Sequence, residues 1–490
     1  MANNRYPKKN HTALKIICGI AGALVSFPLS FALETCVLIA FIVVCSVANP
    51  QGMVGVENDL LILTQDDLNL KKYHEDLQQY VTTASCGKGE TWDYTVMVYL
   101  LGSTLEEANQ CATDDMLEMI QAQLADRVRV VVYTGGTRNW LNNLVARKVN
   151  QVYVITKDGI QLDTEFERSN MADPNVLAQF ISYTGKNFPA DHQSLIVWDH
   201  GNGPVFGFGN PTDVSCSVSE GVMSVQELSD ALRTGLDGGK LDFFAFDACL
   251  MGNLEVLYNM SEFTDYVVAS PESTDAIGFQ YTYFLDNLSK NPHADTETIA
   301  GYIAEGYGQG IIDTYGDGSD LGELYSAING DPYILSCVYD VRNVERVSNA
   351  LENLAETLYA NCSLDQIRST FYQVAGYGDG SYDLIDLGFL ASLYVHDYPQ
   401  LSQELMDGID QLVVKKVASD NVGFSSGLSV YFPSNAVTVE MFMEDYLLQD
   451  YFNLRWGCPT FNRIQYDAAT ELLEEEDVVD ALFNYLENNS

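Results

Sequence analysis

The chain has 490 residues, of which 47% are hydrophobic and 19% are charged, a composition that excludes an intrinsically disordered or fibrous protein. Its 25 basic and 68 acidic residues give a formal net charge of −43 at pH 7. A surface this acidic repels nucleic acid and favours encounters with cationic ligands, so we expect no nucleic-acid partner.

Residues 1–48 are predicted to be a signal peptide or membrane anchor rather than part of the folded protein. Basic residues precede the uncharged run Ile16–Leu33, and a second apolar run, Cys36–Ala48, follows two residues later. The first run is just long enough to span a bilayer, and the basic residues before it favour export of the remainder. Ser46 and Ala48 have the spacing of a signal-peptidase site. We therefore expect an extracellular or cell-surface protein, whose N-terminal segment contacts the membrane if it is retained.

Residues 49–90 are a mixed polar lead-in segment, partly helical around Leu68–Tyr80, and from residue 91 strand and helix patterns alternate. The predicted strands are Thr95–Leu101, Arg127–Tyr133, Val149–Thr156, Ser194–Trp198, Leu241–Phe246 and Asp265–Ala269. The predicted helices are Glu106–Ala122, Pro174–Asn187, Val225–Leu236 and Asn253–Met260. Short apolar runs that alternate with helices indicate a mostly parallel central sheet covered on both faces, so residues 91–324 are predicted to form an α/β domain.

The C-terminal part is predicted to be a second α/β region that packs on this domain. A helix at Thr296–Gln309 and an acidic, glycine-rich loop lead into residues 325–460. That region contains a predicted helix at Val344–Leu358 and a predicted strand at Gly427–Pro433. Residues 461–490 have the pattern of an acidic, amphipathic helical tail.

Two predicted strands end in residues that suit thiol chemistry. The first ends in Asp199, His200 and Gly201, and the second ends in Asp247, Ala248 and Cys249, so that the cysteine follows the histidine by 49 residues. Functional sites of such sheets form beyond the carboxyl ends of the strands. A cysteine and a histidine placed there supply a nucleophile and a proton carrier. Each residue alone fits a structural role, but the two at neighbouring strand ends favour a cysteine peptidase.

Neighbouring groups strengthen this interpretation. Side chains alternate along a strand, so Asp247 and Cys249 are predicted to point the same way. The backbone N–H groups of Gly201 and Cys249 are candidates for an oxyanion hole. A helix that begins shortly after Cys249 would favour the thiolate through its N-terminal amides.

The number of cysteines agrees with one reactive thiol. Beyond residue 48 there are seven cysteines, an odd number, which leaves at least one unpaired and allows up to three disulfides. The spacing of cysteines and histidines does not match a structural zinc site.

The sequence resembles the clostripain family of cysteine peptidases, which share the caspase–gingipain fold. The stretches that carry the resemblance are Trp92–Leu101, Asp199–Gly201, Phe246–Glu255, Asp265–Tyr281 and Gly427–Pro433, of which Phe246–Glu255 is the most specific. The resemblance implies a caspase-like αβα sandwich and cleavage of peptide bonds after arginine or lysine. It also implies that Cys249 is the nucleophile and His200 the general acid/base. Asp247 would then lie at the base of the pocket for the basic side chain, with Asp275 as a second pocket acid.

Two stretches depart from the family pattern. Members are often cleaved after a basic residue between the histidine and cysteine strands, but Gly201–Ala231 contains no lysine or arginine. We therefore predict no self-processing in that loop. Where the family usually has consecutive acids after Ser270, this chain has Pro271, Glu272, Ser273 and Thr274, so the acids of the pocket differ from the family pattern.

We expect a monomer that needs no cofactor and acts on protein or peptide substrates with basic residues. A calcium site stays open as an alternative at the acidic turn that contains Asp313, Asp317 and Asp320, although its spacing does not match an EF-hand. Two alternative functions also stay open. One is an inactive surface protein that binds basic peptides in the same cleft, and the other is a thiol transpeptidase.

Overall fold

A sheet of nine strands organises the part of the chain that the computed structural model describes, residues 76–214, 219–315, 333–378, 382–436, 438–440 and 447–488. The strands of the first half are β1 (Trp92–Leu100), β2 (Val128–Thr134), β3 (Val149–Thr156), β4 (Gly159–Glu167), β5 (Ala190–Trp198), β6 (Leu241–Asp247) and β7 (Thr264–Ala269). Those of the second half are β8 (Leu335–Asp340), β9 (Gly376–Tyr377), β10 (Leu384–Asp386), β11 (Val413–Ala418) and β12 (Ser429–Tyr431).

The sheet has the strand order β11-β8-β7-β6-β5-β1-β2-β3-β4. The five central strands, from β7 to β2, are parallel to one another. The pairs β2–β3, β3–β4, β7–β8 and β8–β11 are antiparallel and form the two edges. Parallel strands covered on both faces read as continuous apolar runs, and every residue of β2 is buried accordingly.

Helices cover both faces of the sheet. Those before residue 330 are α1 (Ser103–Asn109), α2 (Cys111–Gln121), α3 (Pro174–Asn187), α4 (Gly203–Phe206), α5 (Val225–Leu236), α6 (Leu254–Met260), α7 (Tyr281–Lys290) and α8 (Thr296–Tyr315). Those after it are α9 (Val344–Asn361), α10 (Leu364–Phe371), α11 (Leu387–Leu393), α12 (Pro399–Leu412), α13 (Leu447–Asn453) and α14 (Pro459–Asn488).

Alternate residues of β1 point into two separate cores. Met97 and Tyr99 pack in one core with residues of α3 and α5, whereas Val96 and Val98 pack in the other with residues of α2, α7 and α8. This arrangement confirms the predicted α/β sandwich with a mostly parallel central sheet.

The residues after 330 contribute to the same sheet. Strands β8 and β11 extend the central sheet at the β7 edge, while β12, β10 and β9 form a small antiparallel sheet of their own. Helices α9 and α12 bury Leu351 and Leu405 in the core that also contains Tyr99. The domain boundaries at residues 324 and 460 stay predictions.

Several element boundaries match the sequence prediction, and others differ for physical reasons. The predicted bounds of β3, α3 and α5 are those of the structure. The helix predicted over Glu106–Ala122 is two helices, because Gln110 adopts a left-handed conformation with φ of 63°. Strand β4 was not predicted because it lies at a sheet edge and its sequence, GIQLDTEFE, is largely polar.

The predicted N-terminal segment, residues 1–48, lies outside the described residues. Among the residues that the structure describes, no helix is both long and apolar enough to cross a membrane.

Candidate active site

The ends of β5 and β6 bring His200 and Cys249 to one edge of the sheet. These strands are parallel neighbours in which Trp198 pairs with Asp247, and Asp199 N–H donates to the Asp247 carbonyl at 3.3 Å. A Cβ atom on Gly201 would lie only 2.0 Å from the Cys249 carbonyl oxygen. The backbone that follows His200 therefore lies directly against that of Cys249, and this close approach requires glycine at position 201.

Cys249 is a free, half-buried thiol whose hydrogen-bond partner is Thr274, on the loop after β7. The Thr274 N–H donates to Cys249 Sγ at 3.2 Å, and the Thr274 hydroxyl oxygen lies 3.3 Å from the same sulfur. Burial raises the pKa of the Cys249 thiol, and the hydrogen bonds with Thr274 oppose that rise. The hydrogen bonds with Thr274, 25 residues further along the chain, therefore offset part of the effect of burial, which still keeps the pKa of the thiol above its ordinary value.

The backbone donor to the thiol is not the one expected from the sequence. Helix α6 begins at Leu254, and Leu250 between it and Cys249 has a positive φ of 62°. The turn thus separates Cys249 from the first turn of the helix. The hydrogen bond that an early helix was expected to supply comes from Thr274 instead.

None of the cysteines in the described residues is cross-linked. They are Cys86, Cys111, Cys249, Cys337, Cys362 and Cys458. The disulfides that the sequence allows therefore join no two of these residues, and the Cys249 sulfur is available for reaction.

His200 is half-buried, and a residue in the first turn of α1 holds its ring. His200 Nε2 and Thr104 Oγ1 share a hydrogen bond of 2.8 Å. The preceding residue, Asp199, is buried and accepts a hydrogen bond from Asn210 N–H at 2.6 Å. Burial raises the pKa of Asp199, whereas the nearby imidazole and the Ser103 side chain oppose the rise.

The two proposed oxyanion donors carry N–H groups that the surrounding backbone does not use. Gly201 faces Phe208 in an isolated bridge, but the hydrogen bonds of that bridge run from Asn202 N–H to Gly207 O and from Gly209 N–H to His200 O. In the described portion of the chain, neither Gly201 N–H nor Cys249 N–H donates to a protein acceptor. Both are therefore available to a substrate carbonyl oxygen.

Asp247 lies beneath the loop that follows β7, and only 6% of it is exposed. Both of its carboxylate oxygens are 3.2 Å from Phe279 N–H, and the Tyr281 hydroxyl donates to it at 3.0 Å. A Cβ atom on Gly278 would lie 3.2 Å from both Asp247 oxygens and 3.3 Å from one oxygen of Asp115. Two carboxyl groups thus face the backbone of Gly278.

Asp115 is one of the residues of this site that sequence reasoning missed. It lies on α2, is buried, and accepts a hydrogen bond from Trp198 Nε1 at 2.5 Å. Its sequence signal was weak but present, because it interrupts the buried stripe of α2 that contains Met116 and Met119. An acidic residue within an otherwise apolar buried stripe of a helix indicates a candidate functional residue.

Burial controls the charge of these acids. It raises the pKa of Asp247 to about 7 and that of Glu118, which accepts a hydrogen bond from Tyr281 N–H, also to about 7. The pKa of Asp115 is raised well above its ordinary value by burial and then by the negative charge of Asp247. No lysine, arginine or histidine within the described residues forms an ion pair with any of the three. The three residues are therefore a cluster of buried acids that no cation neutralises in the described part of the chain.

Asp275 contacts a different set of groups. Its carboxylate accepts hydrogen bonds from Ile277 N–H at 3.1 Å and from the Tyr315 hydroxyl at 3.2 Å, while its own N–H donates to the Tyr307 hydroxyl. These contacts hold the loop that carries Thr274. In this structure Asp275 therefore supports the loop, and its carboxylate is already bound by protein groups.

The residues of the expected calcium alternative are only partly described. Asp313 belongs to α8, whereas Asp317 and Asp320 lie outside the described residues. No group of three or more His, Cys, Asp or Glu side chains suited to a metal ion is found in the described ranges. Calcium binding stays a prediction.

Residues 98–461 match the family model described as the clostripain family. Clostripain from Hathewaya histolytica is 25% identical over an alignment of 318 residues, and the match covers 54% of this chain and 58% of that protein. The match thus spans less than two thirds of that relative's length.

Two solved structures have a similar fold. A secreted C11 cysteine protease from Bacteroides thetaiotaomicron, bound to an irreversible peptide inhibitor, is 20% identical and superimposes with a TM-score of 0.53 over 72% of this chain and 98% of its own. An inactive zymogen C11 protease from Parabacteroides distasonis is 19% identical and gives a TM-score of 0.51 over 75% of this chain and 97% of its own. At these identities the likeness concerns the fold.

Proposed function

We propose that this chain, which belongs to the clostripain family of cysteine peptidases, is an exported endopeptidase and cleaves peptide bonds after arginine or lysine. The observation that carries the proposal is the placement of a free thiol and an imidazole at neighbouring strand ends, beside buried carboxyl groups that form no ion pair within the described residues. Export is supported by the basic and apolar composition of residues 1–48.

The chemical roles follow from the positions of the groups. His200 takes the proton of Cys249, and the thiolate attacks the carbonyl carbon of the scissile bond. The developing oxyanion accepts hydrogen bonds from the free N–H groups of Gly201 and Cys249, a contribution of about 3–4 kcal/mol per donor in enzymes where it has been measured. His200 then protonates the leaving amine, and water attacks the resulting thioester with His200 as the base.

The pocket acids account for a preference for basic side chains. A carboxyl group with a raised pKa binds a proton when the pocket is empty, because burial penalises its charge. An entering guanidinium or ammonium group replaces that proton as the neutralising partner, and arginine offers donors that can engage two carboxylates. Substrate binding at Asp247 and Asp115 should therefore release protons.

Access to the pocket involves the loop after β7. Gly278 and Phe279 cover Asp247, so a side chain can reach the carboxylate only if this segment shifts. Gly278 has a positive φ of 60°, a conformation in which a side chain is strained and would also press on the acids. Glycine at this position is therefore consistent with a backbone that moves over a binding pocket.

The proposal is tested with the full-length chain and its Cys249→Ala variant on a peptide library that contains every residue at the cleaved position. We expect cleavage after arginine or lysine by the wild-type protein and none by the variant. Cleavage retained in Cys249→Ala would refute the nucleophile, and cleavage only after acidic or apolar residues would refute the acidic pocket. If an added amine acceptor is incorporated faster than water hydrolyses the substrate, the activity is a transpeptidase rather than a peptidase.

A further inference from the structure

We infer that Thr104 is a positioning residue that holds His200 Nε2, so that Nδ1 is the nitrogen that exchanges the proton with Cys249. This inference rests on the proposed function, in which His200 is the acid/base partner of the thiol. Its basis is the hydrogen bond of 2.8 Å between Thr104 Oγ1 and His200 Nε2. A nitrogen that is engaged by a hydroxyl group cannot at the same time serve the sulfur.

The chain reaches this position through an unusual turn at the end of β1. Strand β1 continues beside β5 as far as Leu101, whose N–H donates to the Trp198 carbonyl at 3.2 Å. Gly102 and Ser103 then both have positive φ, 67° and 50°, and Ser103 is fully buried. A buried serine with positive φ costs conformational energy, and such strain is typical of functional sites. The turn directs Thr104 towards the end of β5.

A second contact keeps the turn in register with β5. Ser103 interacts through its side chain with the carboxylate of Asp199, the residue before His200. Two adjacent residues of the turn, Ser103 and Thr104, thus bind two adjacent residues at the strand end, Asp199 and His200. The hydrogen bond with Thr104 restrains the rotation of the imidazole about its side-chain bonds.

The hydrogen bond gains strength during the reaction. When Cys249 transfers its proton to Nδ1, both ring nitrogens carry hydrogen, and Nε2–H donates to the lone pairs of the Thr104 hydroxyl. Hydrogen bonds to charged groups are stronger than those between neutral groups. Thr104 therefore stabilises the imidazolium–thiolate pair more than the neutral pair. A valine at position 104 would have the same shape but no acceptor for this hydrogen bond.

The test compares Thr104→Val and Thr104→Ser in the full-length protein, with Thr184→Val as the matched control. Thr184 is buried in α3, and its hydroxyl has no hydrogen-bond partner among the described residues, so its loss should leave the kinetics unchanged. For an arginyl amide substrate we expect Thr104→Val to lower kcat about 10- to 100-fold with KM nearly unchanged, the factor for one hydrogen bond to a charged group. Thr104→Ser should restore kcat because it retains the hydroxyl.

Alkylation of Cys249 by iodoacetamide as a function of pH provides a readout that a purely structural role would not change. The midpoint of thiolate formation should rise by about one pH unit in Thr104→Val, because the imidazolium partner is less stable. An unchanged kcat and midpoint in Thr104→Val, or equal losses in the valine and serine variants, would overturn the inference. If Thr104→Val does not fold, Thr104→Ala provides the same comparison with serine.

Failure of the proposed function gives a different result. A wild-type protein that leaves arginyl and lysyl amides intact would refute the proposed activity. The alkylation profiles would still decide whether Thr104 controls the Cys249–His200 pair, because they do not depend on substrate turnover.

Discussion

Replacing Asp247 with asparagine should stabilise the free protein at neutral pH while weakening its binding of basic side chains. Burial raises the pKa of Asp247 from 3.8 to about 7, so the folded protein holds a proton that the unfolded chain has lost. The stability associated with that proton is fully present below pH 3.8 and decreases as the pH rises towards 7. A rise of this size corresponds to about 4 kcal/mol, because each pKa unit is worth about 1.4 kcal/mol.

Asparagine mimics the protonated acid, so the variant should not lose this stability. Its amide oxygen can still accept the hydrogen bonds from Phe279 N–H and the Tyr281 hydroxyl. In urea denaturation the difference in the free energy of unfolding between variant and wild type should therefore increase between pH 4 and pH 7 and be constant above pH 7. We expect an increase of about 3–4 kcal/mol, because the fit of the amide group adds only an offset that is the same at every pH.

Asp191→Asn is the control, because Asp191 is an exposed residue at the start of β5. That substitution should change the stability little, because the side chain is exposed. A stability difference for Asp247→Asn that does not vary with pH, or that is largest at pH 4, would refute the argument that burial keeps this carboxyl protonated. Retained cleavage after basic residues with an unchanged KM would refute its place in the pocket.

Other predictions concern neighbouring groups. Gly201→Ala should lower kcat at least about 100-fold, because the added Cβ would collide with the Cys249 carbonyl. The control is Gly185→Ala on α3, where the added Cβ meets open space, and this variant should keep full activity and stability. Asp115→Asn should raise KM for arginyl substrates in steady-state assays with kcat nearly unchanged, and an unchanged KM would exclude it from the pocket. Mass spectrometry of the purified protein should find no chain ends inside Gly201–Ala231, and a terminus there would contradict the absence of self-processing in this loop.

The central part of the fold could be predicted because its signals are local. Strand β2 is a mostly apolar run that Arg129 interrupts, and α5 begins after Ser224, which forms a capping box with Glu227, so both elements are defined by residues close in sequence. The edge strand β4 and the break at Gln110 carry weaker signals. In the edge strand β4, apolar residues alternate with polar ones. No sequence motif predicts the left-handed conformation of Gln110.

The amino-acid sequence by itself determined the parallel sheet and the two strand ends that carry His200 and Cys249, because apolar runs and the polar residues that terminate them are read along the chain. Only the tertiary structure decided which groups surround them. Thr104, Asp115 and Thr274 come from α1, from α2 and from the loop after β7. Their contacts with His200, Gly278 and Cys249 span 96, 163 and 25 residues of sequence. Contacts of that range depend on how strands are ordered in the sheet, and no local pattern of residues encodes that order.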